Sequence, residues 1–198
     1  MYDNRVPGIV KYVIRIFVLH ASIAKPLGES GKLQLATDMA ELEFSLNAFL
    51  ADGSQSKRGG SLESIGDEYK ALRAMRYVSF LSPFTEALTC MNGARRPLLF
   101  LDNVFLASPE RTAGLAPLVV LHHILVRSPL PLPHTLHGWQ ESEYVRWVDE
   151  HSSEEALSLI DSSITHWETR DRNEEDAGTA VEYVGLARGV LQTAQRLS

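Results

Sequence analysis

The stretch from Leu62 to Met75 is LESIGDEYKALRAM, and its apolar side chains recur at intervals of three and four residues. Residues spaced in this way lie on one face of an α-helix. The same spacing recurs along most of the chain, whereas no segment shows the sustained alternation of apolar and polar residues that is typical of a β-strand. The sequence therefore predicts an all-α fold, in which each helix buries one apolar stripe.

Helix breakers and polar runs separate the stripes from one another. The predicted helices span about residues 7–25, 31–50, 62–75, 117–127, 141–150, 152–169 and 179–197. Besides Leu62, Ile65, Tyr69, Leu72 and Met75, the side chains predicted to be buried are Ile9, Val10, Val13, Ile14 and Phe17; Leu35, Met39, Leu42, Leu46 and Phe49; Leu118, Leu121, His122 and Leu125; Tyr144, Trp147 and Val148; Leu157, Ile160, Ile164 and Trp167; Val181, Val184, Leu191 and Ala194.

The connections between these helices have compositions of their own. Residues 52–61 form a polar, glycine-rich loop, and residues 170–176 form a charged one. The proline-rich run from Ser128 to Pro133 predicts an extended, polyproline-like connection. Ser152 and Glu155 have the spacing of a capping box. We therefore expect a helical bundle region over residues 1–128 and a C-terminal helical region over residues 129–198.

Charge narrows the classes of partner. The 198-residue chain is 44% hydrophobic and 22% charged, as in ordinary globular proteins, and its net charge is −6. An acidic balance argues against nucleic acid as the main partner, because phosphate binding needs a basic surface. The balance is uneven, at +3 over residues 1–32 (five basic, two acidic) and −8 over residues 140–198 (five basic, thirteen acidic).

The apolar stretch from Ile9 to Ala24 is a poor membrane span. Lys11 and Arg15 interrupt it, and its longest uncharged run is nine residues, whereas a spanning helix needs about 20 apolar residues. Any membrane association is expected to be peripheral. Cys90 is the single cysteine, which excludes an intrachain disulfide and zinc ligation by a CxxC pair.

No set of residues predicts a catalytic or cofactor site. His122 and His123 are adjacent, so on a helix they point about 100° apart and do not easily share an ion. His134 and His137 have an HxxH spacing without an intervening carboxylate, and HExxH, GxSxG, GxxxxGK[ST] and GxGxxG are all absent. We expect structural or solvent-exposed roles for these histidines, an inert thiol at Cys90, and no catalytic, metal or cofactor residues.

Trp139, Tyr144 and Trp147 form an aromatic cluster beside the proline-rich run. In one interpretation these side chains pin that connection to the helical bundle. In the other they form a partner-binding surface, because tryptophan and tyrosine dominate the energetics of protein interfaces.

Three passages carry a resemblance to a known family. They are HASIAKPLGESGKLQLATDMAELE (His20–Glu43), GDEYKALRAMR (Gly66–Arg76) and LPLPHTLHGWQESEYVRWVDEH (Leu130–His151). In this order they resemble the C-terminal part of subunit 5 of the conserved oligomeric Golgi complex. The resemblance implies helical bundles of the vesicle-tethering rod type, of which only the C-terminal portion is present. The expected N-terminal rod is missing, which suggests a fragment or a truncated gene model.

The function implied by the resemblance is that of a non-catalytic subunit of a tethering complex in retrograde intra-Golgi transport. Such a protein lies peripherally on the cytosolic face of the Golgi membrane. Its partners are the other tether subunits and, indirectly, fusion proteins and small GTPases. The alternatives from the residues are a helical metal-dependent enzyme with histidine ligands and a generic helical scaffold unrelated to the Golgi.

Residues 77–96 depart from the family pattern. The family runs from its Tyr-Lys-x-Leu-Arg-x-x-Arg helix directly into Pro-Leu-Leu-Phe, whereas here twenty residues separate Arg76 from Pro97. The segment is either a helical insertion that begins at Ser82 and Pro83 or translated intron. Intron is the favoured interpretation, because Tyr77-Val78 permits a splice-donor codon pair and Leu88-Thr89 permits a branch-point sequence.

Overall fold

Eight α-helices and one short 3-10 helix form the described part of the chain, which in this computed structural model comprises residues 5–26, 28–53, 61–76, 112, 115–169 and 177–197. They are α1 (Arg5–Ile23), α2 (Glu29–Gly53), the 3-10 helix (Leu62–Ile65), α3 (Asp67–Arg76), α4 (Pro117–Arg127), α5 (Pro133–Leu136), α6 (Glu141–Glu150), α7 (Ser153–Thr169) and α8 (Ala177–Leu197). No strand occurs within these ranges, and the predicted all-α class is confirmed.

Helices α1 and α4 form the centre of the bundle. Helix α1 packs against α2, α3, α4 and α6, and α4 packs against α1, α7 and α8. Every residue of α4 from Leu118 to Val126 is buried, including His122 and His123. A helix that is apolar all round has no solvent face to present, so it lies inside the bundle.

Although Lys11 and Arg15 make this stretch a poor membrane span by its sequence, helix α1 is long and apolar enough to pass a test for one. Among the described residues it alone passes that test, which the buried helix of a globular core passes equally well. Its Val10, Ile14 and Val18 lie in the core of the bundle, and Arg5, Lys11 and Arg15 lie on its exposed side.

Each predicted stripe contains buried residues, whereas three residues at the edges of the stripes are exposed. Ile9 is 51% exposed, Phe49 is 44% exposed and Val181 is 50% exposed. Leu50, one position after Phe49, is buried in its place. The width of a buried stripe depends on how many neighbours a helix meets, and periodicity alone does not supply that information.

Several other predicted core residues are only partly buried, packed against the core from its rim. They are Val13, Phe17, Leu35, Leu42, Trp147, Leu157 and Trp167.

The stripe from Leu62 to Met75 is fully buried, as predicted. It is built from two elements, because Gly66 interrupts it with a φ of 94° after the 3-10 helix. Ser61 caps the 3-10 helix, and its Oγ accepts a hydrogen bond from the backbone N–H of Glu63 at 3.3 Å. A positive φ is available to glycine without strain, so the chain turns here and α3 continues the same buried face.

The connections near the C-terminal half are held by specific hydrogen bonds. The capping box before α7 is confirmed: Ser152 N–H donates to Glu155 Oε2 at 2.9 Å, and Glu155 N–H donates to Ser152 Oγ at 3.2 Å. Ser128 and Leu132 have the extended backbone expected of the proline-rich run. Lys25 Nζ donates to the carbonyl oxygens of Ser128 at 2.8 Å and Leu130 at 2.9 Å, which satisfies acceptors beyond the end of α4.

Helices from both sides of residue 128 pack together: α1 contacts α6, and α4 contacts α7 and α8. The division into two helical regions stays a prediction. Residues 77–96, residues 170–176 and most of the loop at 52–61 lie outside the described residues.

Candidate functional site

A Schellman turn places Trp139 at the surface. Helix α5 ends at Leu136, and Gly138 follows with a φ of 69°. Gly138 N–H donates to the carbonyl of Thr135 at 3.4 Å, and Trp139 N–H donates to the carbonyl of His134 at 2.9 Å. This pair of bonds with a left-handed glycine is how many helices end, and it fixes the direction in which the chain enters α6.

Four aromatic rings follow one another across this surface; we call them the aromatic row. His137 stacks on Trp139 with ring centroids 5.0 Å apart. The ring centroids of Trp139 and Trp147 are 5.8 Å apart, and their ring planes are inclined by 38°. Trp147 stacks on His151 at 4.2 Å. The His151 ring is also held by its Nδ1–H, which donates to the carbonyl of Trp147 at 2.7 Å. The row therefore has a defined arrangement before any partner binds.

An open groove of about 230 Å³ lies beside the row, and we call it the tryptophan groove. Its walls come from one side of α6 along most of its length and from a residue just before the helix; they are formed by Trp139, Glu143, Arg146, Trp147 and Glu150. On α6, residues three and four apart share one face, so the spacing of 143, 146, 147 and 150 explains why these side chains meet.

Tyr144 follows Glu143 and so lies about 100° further round α6, where it is fully buried. Its hydroxyl lies 2.8 Å from His122 Nε2, and His122 Nδ1 lies 2.9 Å from Ser22 Oγ. Ser22 Oγ donates its proton to the carbonyl of Leu19 at 2.7 Å. Since a hydroxyl carries one proton, Ser22 accepts from His122 Nδ1–H, and His122 Nε2 accepts from Tyr144. This chain of hydrogen bonds ties α6 through α4 to α1.

Burial keeps the groups in this chain neutral. It lowers the pKa of His122 to about 3 and raises the pKa of the Tyr144 hydroxyl above its ordinary value. Both effects arise because a charged form loses its hydration in an apolar interior. Tyr144 is thus a residue that positions α6, while Trp139 and Trp147 face the groove.

The surface around the groove is acidic. Residues 140–155 contain six Asp or Glu and one basic residue, a balance of −5. Glu143 Oε2 accepts the backbone N–H of Gln140 at 2.8 Å, which completes a capping box at the start of α6. Asp149 is turned away towards α1, where Arg15 Nη2 lies 2.6 Å from its Oδ1.

The histidines do not assemble into a metal centre within the described ranges, where no group of three or more His, Cys, Asp or Glu side chains is placed to hold an ion. His134 is buried, whereas His137 lies at the surface in the aromatic row. His123 is fully buried, and neither of its ring nitrogens has a hydrogen-bond partner among the described residues; burial lowers its pKa to about 3.

The sequence grouped Trp139, Tyr144 and Trp147; the structure places the two tryptophans at the groove and Tyr144 in the interior. The grouping left out His137 and His151, which complete the aromatic row. The signal was present in the spacing. His137 precedes Trp139 by two residues around a glycine, and His151 follows Trp147 by four, one helical turn along α6.

Comparisons with known proteins bear on the resemblance described above. No family model matches the chain, and no solved structure matches it either. "Conserved oligomeric Golgi complex subunit 5" of Arabidopsis thaliana is 28% identical over 166 residues, which is 83% of this chain and 16% of that protein. The mouse protein of the same name is 28% identical over 163 residues, which is 81% of this chain and 16% of that protein.

The chain thus spans about one sixth of the length of these two curated relatives. The resemblance drawn from the three passages is confirmed, and over most of its length this chain is similar to subunit 5 of the conserved oligomeric Golgi complex.

Proposed function

We propose that this chain is a non-catalytic, helical part of a multisubunit Golgi vesicle-tethering complex that acts in retrograde intra-Golgi transport. The observation that carries the proposal is the similarity to subunit 5, which covers 81–83% of the chain in two distant organisms. The helical bundle agrees with that role, because a tether works by holding its partners at defined positions and needs no reacting group.

The physics of this role is apolar burial between helices together with an exposed surface for partners. Helices α1 and α4 supply the rigid centre, and the hydrogen-bond chain from Tyr144 to Leu19 fixes α6 to it. Trp139 and Trp147 are then presented on a face that does not have to move. Rigid aromatic residues at a surface contribute binding energy at a small entropic cost. We assign the tryptophan groove to contact with another subunit of the complex.

The proposed location is the cytosolic face of the Golgi membrane, with peripheral attachment through the assembly. In support, Val10, Ile14 and Val18 of α1 lie in the core, although Ile9 is half exposed, and the exposed face of α1 carries three cations. Fusion proteins and small GTPases are proposed as indirect partners, reached through the other subunits.

Two other functions are less well supported. A metal-dependent enzyme would need ligands grouped around an ion, whereas His122 and His123 lie in an apolar interior and His122 is already engaged on both ring nitrogens. A stoichiometric zinc or iron content in the pure protein would revive it. A generic scaffold unrelated to the Golgi would leave the ordered similarity to subunit 5 without a cause.

The test is co-purification from cells of the source organism. The tagged chain is expected to bring down the other subunits of the complex and to lie at the Golgi by microscopy. The matched control is the same chain with Leu121→Asp, which places a charge in the core and removes the fold. If the folded chain captures none of those subunits and lies elsewhere in the cell, the proposed function is wrong.

A further inference from the structure

We propose that the tryptophan groove receives a basic segment of a partner protein, with one arginine or lysine side chain seated against Trp139 and Trp147. The proposal rests on the proposed function in that the occupant is a protein. It adds the chemistry of that occupant, which the resemblance to subunit 5 does not supply.

Four of the five residues that line the groove can attract a cation, and the fifth, Arg146, is itself basic. Indole rings attract a cation placed over them, and the planar guanidinium of arginine also stacks on them. Glu143 and Glu150 stand on the same wall as Trp147, one helical turn to either side of it. Carboxylates one helical turn from an indole can form ion pairs with a cation that the ring has attracted.

The size of the open groove is sufficient for a single long side chain. Pockets that hold drug-sized ligands have volumes of about 300–1,000 Å³, and the tryptophan groove has about 230 Å³. A volume below that range suits one long side chain that enters from a partner surface.

Charge extends the complementarity beyond the groove. Residues 140–155 supply four of the five residues that line the groove and have a balance of −5. Within that range Asp149 is paired with Arg15, and Arg146 is the one basic residue. An acidic surface of this kind speeds the approach of a basic segment and repels an acidic one. It also repels an anionic lipid surface, so a membrane is not the expected occupant of this face.

The groove is arranged before binding. Stacking and a hydrogen bond hold His151 against Trp147, the Schellman turn fixes Trp139, and the capping box fixes Glu143. A site whose side chains are already ordered loses little conformational freedom on binding.

The test uses the whole chain and two synthetic probes. One probe is a short helical peptide with arginines along one face, and the other is the same peptide with each arginine replaced by glutamate. Titration calorimetry is expected to show binding of the arginine peptide, weaker at high salt, and no binding of the glutamate peptide. Trp147→Ala is expected to weaken the arginine peptide about tenfold or more.

Glu150→Lys keeps the test valid if the tryptophan variant folds poorly. It is expected to weaken the arginine peptide about tenfold, while Glu182→Lys, the same charge change on α8 away from the groove, has a smaller effect. Equal binding of both peptides, or equal losses with the two lysine variants, would overturn the inference. If the chain captures tether subunits but does not bind the arginine peptide, the inference is wrong and the proposed function still stands.

Discussion

The two faces of α6 differ in what holds them. One face carries Tyr144 into the interior, where its side chain is fully buried and its hydroxyl lies 2.8 Å from His122 Nε2. The other face carries Trp147 with Glu143 and Glu150 at an open groove. Tyr144 and Trp147 are three residues apart on one helix, yet one is buried and the other lines a groove. Aromatic residues that are close in a sequence therefore need not form one surface.

Removing the buried member should have the largest effect. Tyr144→Ala is expected to lower the free energy of unfolding by about 3–5 kcal/mol, because it leaves a cavity and takes the hydrogen-bond donor from His122. Urea denaturation followed by circular dichroism measures this. Arg146→Ala, on the exposed face of the same helix, should stay within about 0.5 kcal/mol. Similar losses in the two variants would mean that the faces are assigned wrongly.

Acid should lower the stability of the fold through the buried histidines. Burial lowers the pKa values of His122 and His123 from 6.5 to about 3, so the folded state binds fewer protons than the unfolded chain. Their neutral forms are fully favoured above pH 6.5, and stability is lost as the pH falls from there towards 3. At about pH 5 the loss is roughly 2 kcal/mol for each histidine.

His123→Leu separates the two histidines. It removes a buried imidazole that has no hydrogen-bond partner among the described residues, so it should leave stability at neutral pH unchanged or improved and reduce the acid loss by about half. The comparison is made by thermal unfolding across the acidic range, with His166→Leu at the surface as the control. An unchanged acid slope would show that His123 is hydrated in solution.

The fold was predictable from the sequence to the extent that periodicity decides it. The stripe from Leu62 to Met75 is buried in full, because apolar residues spaced by three and four lie on one face, and that face packs against the core. Phe49 and Leu50 show the limit, since the neighbours of α2 decide which of two adjacent apolar residues is covered. The site was half predictable: the tryptophans are close in sequence, but the role of Tyr144 depends on His122, which the fold brings from another helix.

The turn before the groove offers a smaller test. Gly138→Ala puts a Cβ at a φ of 69° where no atom obstructs it, so its cost is that of the left-handed conformation alone, about 1–2 kcal/mol. Gly185→Ala on α8 is the matched control, also unobstructed, and it should raise stability by about 0.5–1 kcal/mol because the position is helical. Equal shifts in melting temperature would show that Gly138 is not held in that conformation.

The smallest effect is expected at the rim between α1 and α6. Asp149→Asn removes the partner of Arg15, and we expect a loss of about 0.2–1 kcal/mol that disappears at high salt. Glu150→Gln, one residue further along, should change stability by less. A larger, salt-independent loss at Asp149 would indicate that this carboxylate is needed in the core.

The buried face of α6 holds the bundle together, and we propose that its exposed face binds a partner. The most direct measurement combines Trp139→Ala with Glu150→Lys in the tagged chain and compares its melting temperature and its captured tether subunits with those of the unaltered chain. Because Trp139 packs partly against the core, we expect a lowered melting temperature with the fold retained, together with a loss of about tenfold or more in captured subunits. A folded variant that captures them at the original level would contradict this proposal.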